Sequence, residues 1–276
     1  MRLLEGMFLW GGVGFYVLSF SFFLGGLVFK KDRQASLGWT SFVAAFFLHT
    51  LTIAVRWAAS GHPPVLWTYE HALASSWFLA LVFTVSGRVA PGAKSMGVGV
   101  ALFVIMVLGY GLMSQETAIE PLPPPYKSNW LWVHVTFAWL AYSAFAFAAV
   151  VAVLHLLKDR ALRVGGLSFL ERLPPPEALD DLTARVVVFG FVGLTVEMGA
   201  GAIWAYGLWG RYWAWDPMET WTLISWLAYG VYMHLRGTMG WRGTPMAWVA
   251  IIAFVFIFIA FGGIAMMKGL HAPLAS

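Results

Sequence analysis

Residues suited to hold a large flat ligand crowd into one stretch of this chain. Trp204, Trp209, Trp213, Trp215 and Trp221, with Tyr206 and Tyr212, all fall within residues 204–221, on a short polar break between two long apolar runs. Tryptophan and tyrosine anchor membrane proteins at the water interface, but a ring or two is enough for that. Trp209, Trp213 and Trp215 lie in the break itself, where packing is a poor account of them. Trp221 and Trp226 lie on the following helix and fit ordinary packing. So many weakly polar rings at one membrane edge make a platform for a planar ligand, with porphyrin as the leading candidate.

Imidazoles would supply the iron ligands, and depth sorts the seven histidines. His134 lies one turn into the fifth apolar segment, near the outer face, and His271 follows the eighth segment on the same side. Both share the level of the tryptophan-rich break. His62 and His71 flank the outer loop between the second and third segments. His155 and His234 sit near the cytoplasmic ends of the fifth and seventh, and His49 is well inside the second. Ionisable residues in a span are costly enough to point to function, and neutral imidazole ligates iron. Taken singly, each histidine is more often a hydrogen-bonded interior or interfacial residue. Two imidazoles level with the tryptophans make a sensible sandwich around one haem, whereas His234 would belong to a different site. Arg56 and Arg211, on the outer side, are candidates to salt-bridge haem propionates, against the plain reading that they mark the interface. Glu197 falls near the middle of the sixth segment, and the sequence leaves open whether it is protonated and hydrogen-bonded or lines a polar path.

Asp216-Pro217-Met218-Glu219 spells a helix start: Asp at the N-cap, Pro in the first helical position, and Glu three residues after the cap. Both carboxylates suit the positive end of a helix dipole. Their plainest role is to begin the seventh helix, which does not exclude holding the tryptophan loop rigid. Gly210 fits a turn that a side chain would obstruct.

The elements that must position these groups are membrane helices. The chain is 60% hydrophobic and 11% charged, with a mean hydropathy of +0.75, against about 25% charge in an ordinary soluble domain. Predominantly apolar spans of about 20 residues give an all-α integral membrane protein of about eight transmembrane helices. The expected limits are 8–29, 36–58, 72–88, 95–113, 130–157, 184–208, 218–236 and 245–268. They form a single polytopic domain over 1–276, with no inserted soluble domain. The first run is too long for a cleavable signal peptide and has no small-residue cleavage site. Cysteine is absent, so any thiol must come from a partner or substrate. A net charge of +4 is too small to imply nucleic acid.

Basic residues set the orientation. Lys30, Lys31, Arg33, Arg88, Lys94, Lys158, Arg160, Arg163, Arg172, Arg185, Arg236 and Arg242 fall on one side, and Arg2, Arg56, Lys127, Arg211 and Lys268 on the other. The first side is therefore cytoplasmic. Both termini lie outside, as does the tryptophan-rich loop between helices six and seven. Segment 159–183 reads as a solvated connector, and Pro121–Pro125 as a stiff external linker.

At this point the residues resemble a family. Trp209-Gly-Arg-Tyr-Trp213-Ala-Trp215-Asp216-Pro217-Met-Glu219-Thr-Trp221 resembles the "WWD" signature of the haem-handling proteins of cytochrome c maturation. The chain as a whole is similar to the CcsA (ResC) family of system II. The likeness extends to Gly61-His62-Pro63-Pro64 with Tyr69-Glu70, and to Tyr232-Met-His234-Leu-Arg236. It implies that 204–221 is an external haem-binding segment, in which Trp209, Gly210, Arg211, Tyr212, Trp213, Trp215, Asp216, Pro217, Glu219 and Trp221 face haem b. His134 and His271 would ligate its iron at the outer site. His234 would be one ligand of a deeper haem, the other coming from a CcsB (ResB) partner subunit. Met218 stands where the family usually has Lys, and Glu197 where it usually has a small or apolar residue.

The resemblance implies cytochrome c biogenesis in a plasma (inner) or thylakoid membrane. With CcsB, the chain would export haem and present it outside for thioether attachment to an apocytochrome c carrying Cys-x-x-Cys-His. A thioredoxin-like apocytochrome reductant would be a further partner, and the chain would be a subunit of a cytochrome c synthase (haem lyase) with no catalytic residue beyond haem presentation. One alternative is a haem transporter or chaperone that hands haem to a separate carrier without ligation. Another is a b-type electron-transfer protein, for which the sequence offers no convincing pair of facing histidines.

Overall fold

The computed structural model describes residues 2–90, 92–114, 117–165 and 168–262. Among these it contains eight α-helices: α1 (Arg2–Val28), α2 (Asp32–Ser60), α3 (Thr68–Val89), α4 (Gly97–Met113), α5 (Asn129–Val164), α6 (Pro176–Trp209), α7 (Pro217–Gly237) and α8 (Thr244–Gly262). Short 3-10 turns occupy Ala93–Met96, Pro124–Tyr126 and Ser168–Arg172.

Seven of the eight helices are long and apolar enough to cross a membrane, as the apolar spans lead one to expect. The exception is α7. Its 21 residues would span about 31 Å at 1.5 Å per residue, close to the hydrocarbon thickness of about 30 Å. Its apolar surface is interrupted by Glu219, His234, Arg236 and several hydroxyl side chains.

Helix ends depart furthest from expectation in α5 and α6, with 36 and 34 residues, about 54 and 51 Å long. Hydropathy marks the apolar part of a helix, while main-chain hydrogen bonding continues beyond it. The bland connector expected over 159–183 is corrected accordingly. Its start continues α5, its end begins α6 at Pro176, and the part between is tied down. Lys158 is buried and donates to the carbonyls of Leu170 and Glu171 at 2.9 and 3.0 Å. Glu171 pairs with Lys30 at 2.8 Å, and Arg172 pairs with Asp32 at 2.8 Å. Pro176 sits in the first turn of its helix, where a missing N–H costs nothing.

The chain divides into two compact units. The first comprises residues 1–124 with 157–175. In it α1 packs on α2 and α4, and α3 on α2 and α4. Buried Tyr16, Phe23, Phe42 and Phe83 form its aromatic core, with the Phe42 and Phe83 rings edge-on at 4.8 Å. The second unit comprises residues 125–156 and 176–276, with α7 on α6 and α8. There α5 approaches α6 closely over Gly190, Gly193 and Gly201, where an added Cβ would meet Phe145, Ala141 and His134. Phe145 stacks on Tyr229 at 3.6 Å.

Candidate functional site

Glu197, Gly201, Trp204 and Ala205 lie four, three and one residues apart along α6, a spacing that puts them on one helical face. His134, in the second turn of α5, lies against that face. Its Nδ1 is 3.0 Å from the Glu197 carbonyl oxygen and 3.5 Å from Glu197 Oε1. Its ring stacks on Trp204 with centroids 6.1 Å apart and planes 20° from parallel. A Cβ on Gly201 would stand 2.6 Å from Nδ1, so the ring reaches this place only because residue 201 has no side chain. A carbonyl can only accept, so Nδ1 donates. In the neutral ring this puts the lone pair on Nε2, the nitrogen with the chemistry to ligate a metal.

The tryptophan-rich loop is held from both ends. α6 stops at Trp209, and Gly210 turns the chain with φ +67° while its N–H donates to the Tyr206 carbonyl at 2.9 Å, a left-handed helix stop. Among the described residues, nothing beyond its own chain neighbours lies within 4 Å of the position its Cβ would take. The backbone angle therefore calls for glycine here, rather than the obstruction expected of a side chain in this turn. Tyr212 returns to stack on Tyr206 at 4.4 Å.

At the far end the expected capping box is present: Asp216 Oδ1 accepts from Glu219 N–H at 2.8 Å, and Glu219 Oε2 accepts from Asp216 N–H at 3.3 Å. Glu219 Oε2 also accepts from Ala214 N–H at 2.7 Å. The carboxylate thus grips the main chain on both sides of Trp215, whose φ of +59° is costly for a residue with a Cβ, by about 1–2 kcal/mol. Strain of this kind persists where the surroundings over-determine it. Trp213 and Trp215 meet edge to face at 5.7 Å.

His134, Glu197, Gly201, Tyr212, Trp213 and Glu219 line one cleft, together with Met218 and Thr222. Its cavity volume is about 40 Å³, room for a water or an axial contact and far from the roughly 300 Å³ or more of a drug-sized pocket. The enclosed volume is too small for a macrocycle, and Arg211, Tyr212 and Trp215 of the adjoining loop are exposed, Trp215 to 70%. The donor set suits haem: an imidazole, flat aromatic rings, and an exposed guanidinium for a propionate.

Trp209, Pro217 and Trp221 are half-buried, with Trp221 against Phe256 at 6.3 Å. Trp226, expected to serve packing, stacks on Phe191 at 5.3 Å. His234 is exposed on α7. His271 lies outside the described residues.

Arg56 is a correction. It is buried, bonded to Glu70 at 2.8 Å, to Glu5 at 3.2 Å and to the carbonyls of Thr117 and Ala118 at 3.3 and 2.7 Å. Its guanidinium is spent on the first unit's own structure and is not available to a propionate. His62 likewise has both ring nitrogens on carbonyls, of Pro63 at 2.8 Å and Glu120 at 2.9 Å.

Gly201 and Trp204 are further residues of the site, as supports of His134. The signal was present in Gly199-Ala-Gly201-Ala inside a helix. Glycine weakens a helix interior and so marks a close approach.

Fold and site together define an all-helical integral membrane protein with a tryptophan-rich loop set against a partly buried histidine. A family model described as "Cytochrome C assembly protein" matches residues 7–271, and the chain belongs to that family. Curated relatives include the cytochrome c biogenesis protein CcsA of Guillardia theta, 32% identical over 90% of this chain and 89% of that one. CcsA of Parasynechococcus marenigrum (strain WH8102) is 33% identical over 87% and 88%. Among solved structures, the cytochrome c haem lyase CcmF shares the fold with a TM-score of 0.70 at 18% identity. That match covers 96% of this chain, which spans about half of CcmF (49%).

Proposed function

We propose that this protein, with a CcsB (ResB) partner, moves haem b outward across a plasma (inner) or thylakoid membrane. There it presents the haem to apocytochrome c for covalent attachment. The observation that carries this reading is the cleft that His134 lines together with Tyr212 and Trp213 of the tryptophan-rich loop, in a chain of the cytochrome c assembly family. Haem is the substrate. His134 and His271 ligate its iron, the indole and phenol rings lie against the macrocycle, and Arg211 meets a propionate. Asp216 and Glu219 hold the loop in shape. The exposed His234 suits a ligand whose companion comes from the partner subunit at a deeper haem.

In the reaction each cysteine S–H of a Cys-x-x-Cys-His segment adds across a haem vinyl C=C. A C–S bond forms, the hydrogen goes to the terminal vinyl carbon, and no electrons are gained or lost. A thioredoxin-like reductant keeps the two thiols from closing on each other. The protein's contribution is positioning, which turns an encounter into an effectively intramolecular addition. No cysteine of this chain competes for the vinyl groups.

The test is reconstitution of the chain with its partner, haem b, apocytochrome c and a reductant. Covalent haem–apocytochrome product that is lost in His134→Ala supports the reading. Haem transfer without thioether formation would replace it with a carrier that performs no ligation.

A further inference from the structure

The buried carboxylates among the described residues differ in how they are satisfied: Glu5 meets Arg56 and Tyr69, Asp180 meets Arg236, and Asp216 accepts from the Glu219 N–H. Glu70 gives one oxygen to Arg56 and the other to the N–H groups of Val65 and Leu66, both at 2.8 Å. Glu219 closes a capping box. Both are structural in the plain sense: Glu70 uses its two oxygens on an ion pair and the main chain, and Glu219 Oε2 accepts from two main-chain N–H groups. Glu197 is different. It is 4% exposed, it falls in the middle of an apolar span, and its Oε2 is buried with no hydrogen-bond partner. Its Oε1 stands 3.5 Å from His134 Nδ1, and the side chain lines the cleft. An apolar residue would be cheaper there, so stability does not account for it.

We propose that Glu197 is a positioning residue for His134. Its main-chain carbonyl fixes which ring nitrogen carries the hydrogen, and its carboxyl sets how strongly the other nitrogen donates to iron. The inference rests on the reading of His134 as an axial haem ligand. An acceptor on the far side of a ligating imidazole fixes the ring and raises its basicity. The rest of the α6 face is built to the same end. Gly201 opens the space for the ring, Trp204 stacks on it, and the Trp204 indole is itself fixed by donating to the Pro125 carbonyl at 3.1 Å. A more basic imidazole favours ferric over ferrous iron, so this carboxyl tunes the potential of the outer haem.

The test uses the purified full chain in detergent, titrated with haem b, in a His234→Ala background that leaves the outer site alone. Glu197→Leu keeps the carbonyl and removes the carboxyl. It should loosen haem about tenfold and raise the ferrous-over-ferric preference, each tenfold change appearing as 59 mV in the one-electron midpoint potential. Its thermal stability should hold or rise, because a buried carboxyl has gone. Glu197→Gln keeps the shape and an acceptor oxygen, so it should retain haem nearly as well and show a smaller shift of the same sign. Should Glu197→Leu fail to fold, the potential of Glu197→Gln decides. Unchanged affinity and potential in the Glu197 variants, beside haem loss in His134→Ala, would overturn the proposal alone. Unchanged haem binding in His134→Ala would instead bring down the ligand reading beneath it.

Discussion

Gly201→Ala separates the stability of the second unit from its capacity to hold haem. The added methyl carbon would lie 2.6 Å from His134 Nδ1 and 2.9 Å from Cε1. Ordinary contact begins near 3.4 Å, so the ring must retreat by about 0.8 Å, the difference between 3.4 and 2.6 Å. A side-chain ring can move that far, so the fold survives. What is lost is the 3.0 Å bond to the Glu197 carbonyl, with a net value of about 1 kcal/mol. Replacing glycine by alanine inside a helix returns about 1 kcal/mol, and the melting temperature should hardly move. The site should suffer more, because losing the outer-shell partner of a ligating imidazole costs on the order of 10- to 100-fold in affinity. Haem titration followed by Soret absorbance, beside thermal melting of the same preparation, reads both quantities. Wild-type haem affinity in a stable Gly201→Ala protein would refute the reasoning that this face of α6 positions His134.

Other perturbations address the supports one at a time. Asp216→Ala removes the N-cap of α7 and should cost about 1 kcal/mol in thermal melting while releasing Trp215 from its left-handed conformation, visible as a change in tryptophan fluorescence. Unaltered fluorescence would show that the box does not hold the loop. Arg56→Met leaves Glu5 and Glu70 buried without their cation and should destabilise the protein by about 3–5 kcal/mol. A stable Arg56→Met chain that has lost haem would restore Arg56 as a propionate partner.

Lys30 beside Glu171, by hydrogen bond and charge, holds that carboxyl below its ordinary range. The pair's contribution is present above the ordinary carboxylate value and lost as pH falls through the depressed one. Lys30→Gln should therefore flatten the acid side of the stability–pH curve, by a small and salt-sensitive amount because both groups are exposed. A slope unchanged in Lys30→Gln would mean the pair contributes nothing.

The sequence exposed the helices well, because each apolar run is long and bounded by charge or proline. It fell short where helices outrun their apolar parts, as at 158–164 and 176–183, since hydropathy does not register polar helix. The capping box at Asp216 and Glu219 was legible because it is a local pattern. That Glu219 also grips Ala214 N–H across Trp215 was not, because a backbone angle of +59° at tryptophan has no residue signature. Arg56 misled for a physical reason: an arginine near a membrane edge looks the same whether it meets a ligand or two carboxylates distant in sequence. Glu197 and His134, 63 residues apart, share a site through helix packing alone, and only the glycine at 201 hinted at the approach.

The central claim is that two imidazoles grip one haem beside the tryptophan-rich loop. The most direct measurement is the optical and electron paramagnetic resonance spectrum of ferric haem bound to the full chain, with His134→Ala and His271→Ala made separately in the His234→Ala background. The account predicts a low-spin, two-imidazole spectrum that either substitution converts to a weaker-field form with loosened haem. The same low-spin spectrum surviving in both variants would contradict it.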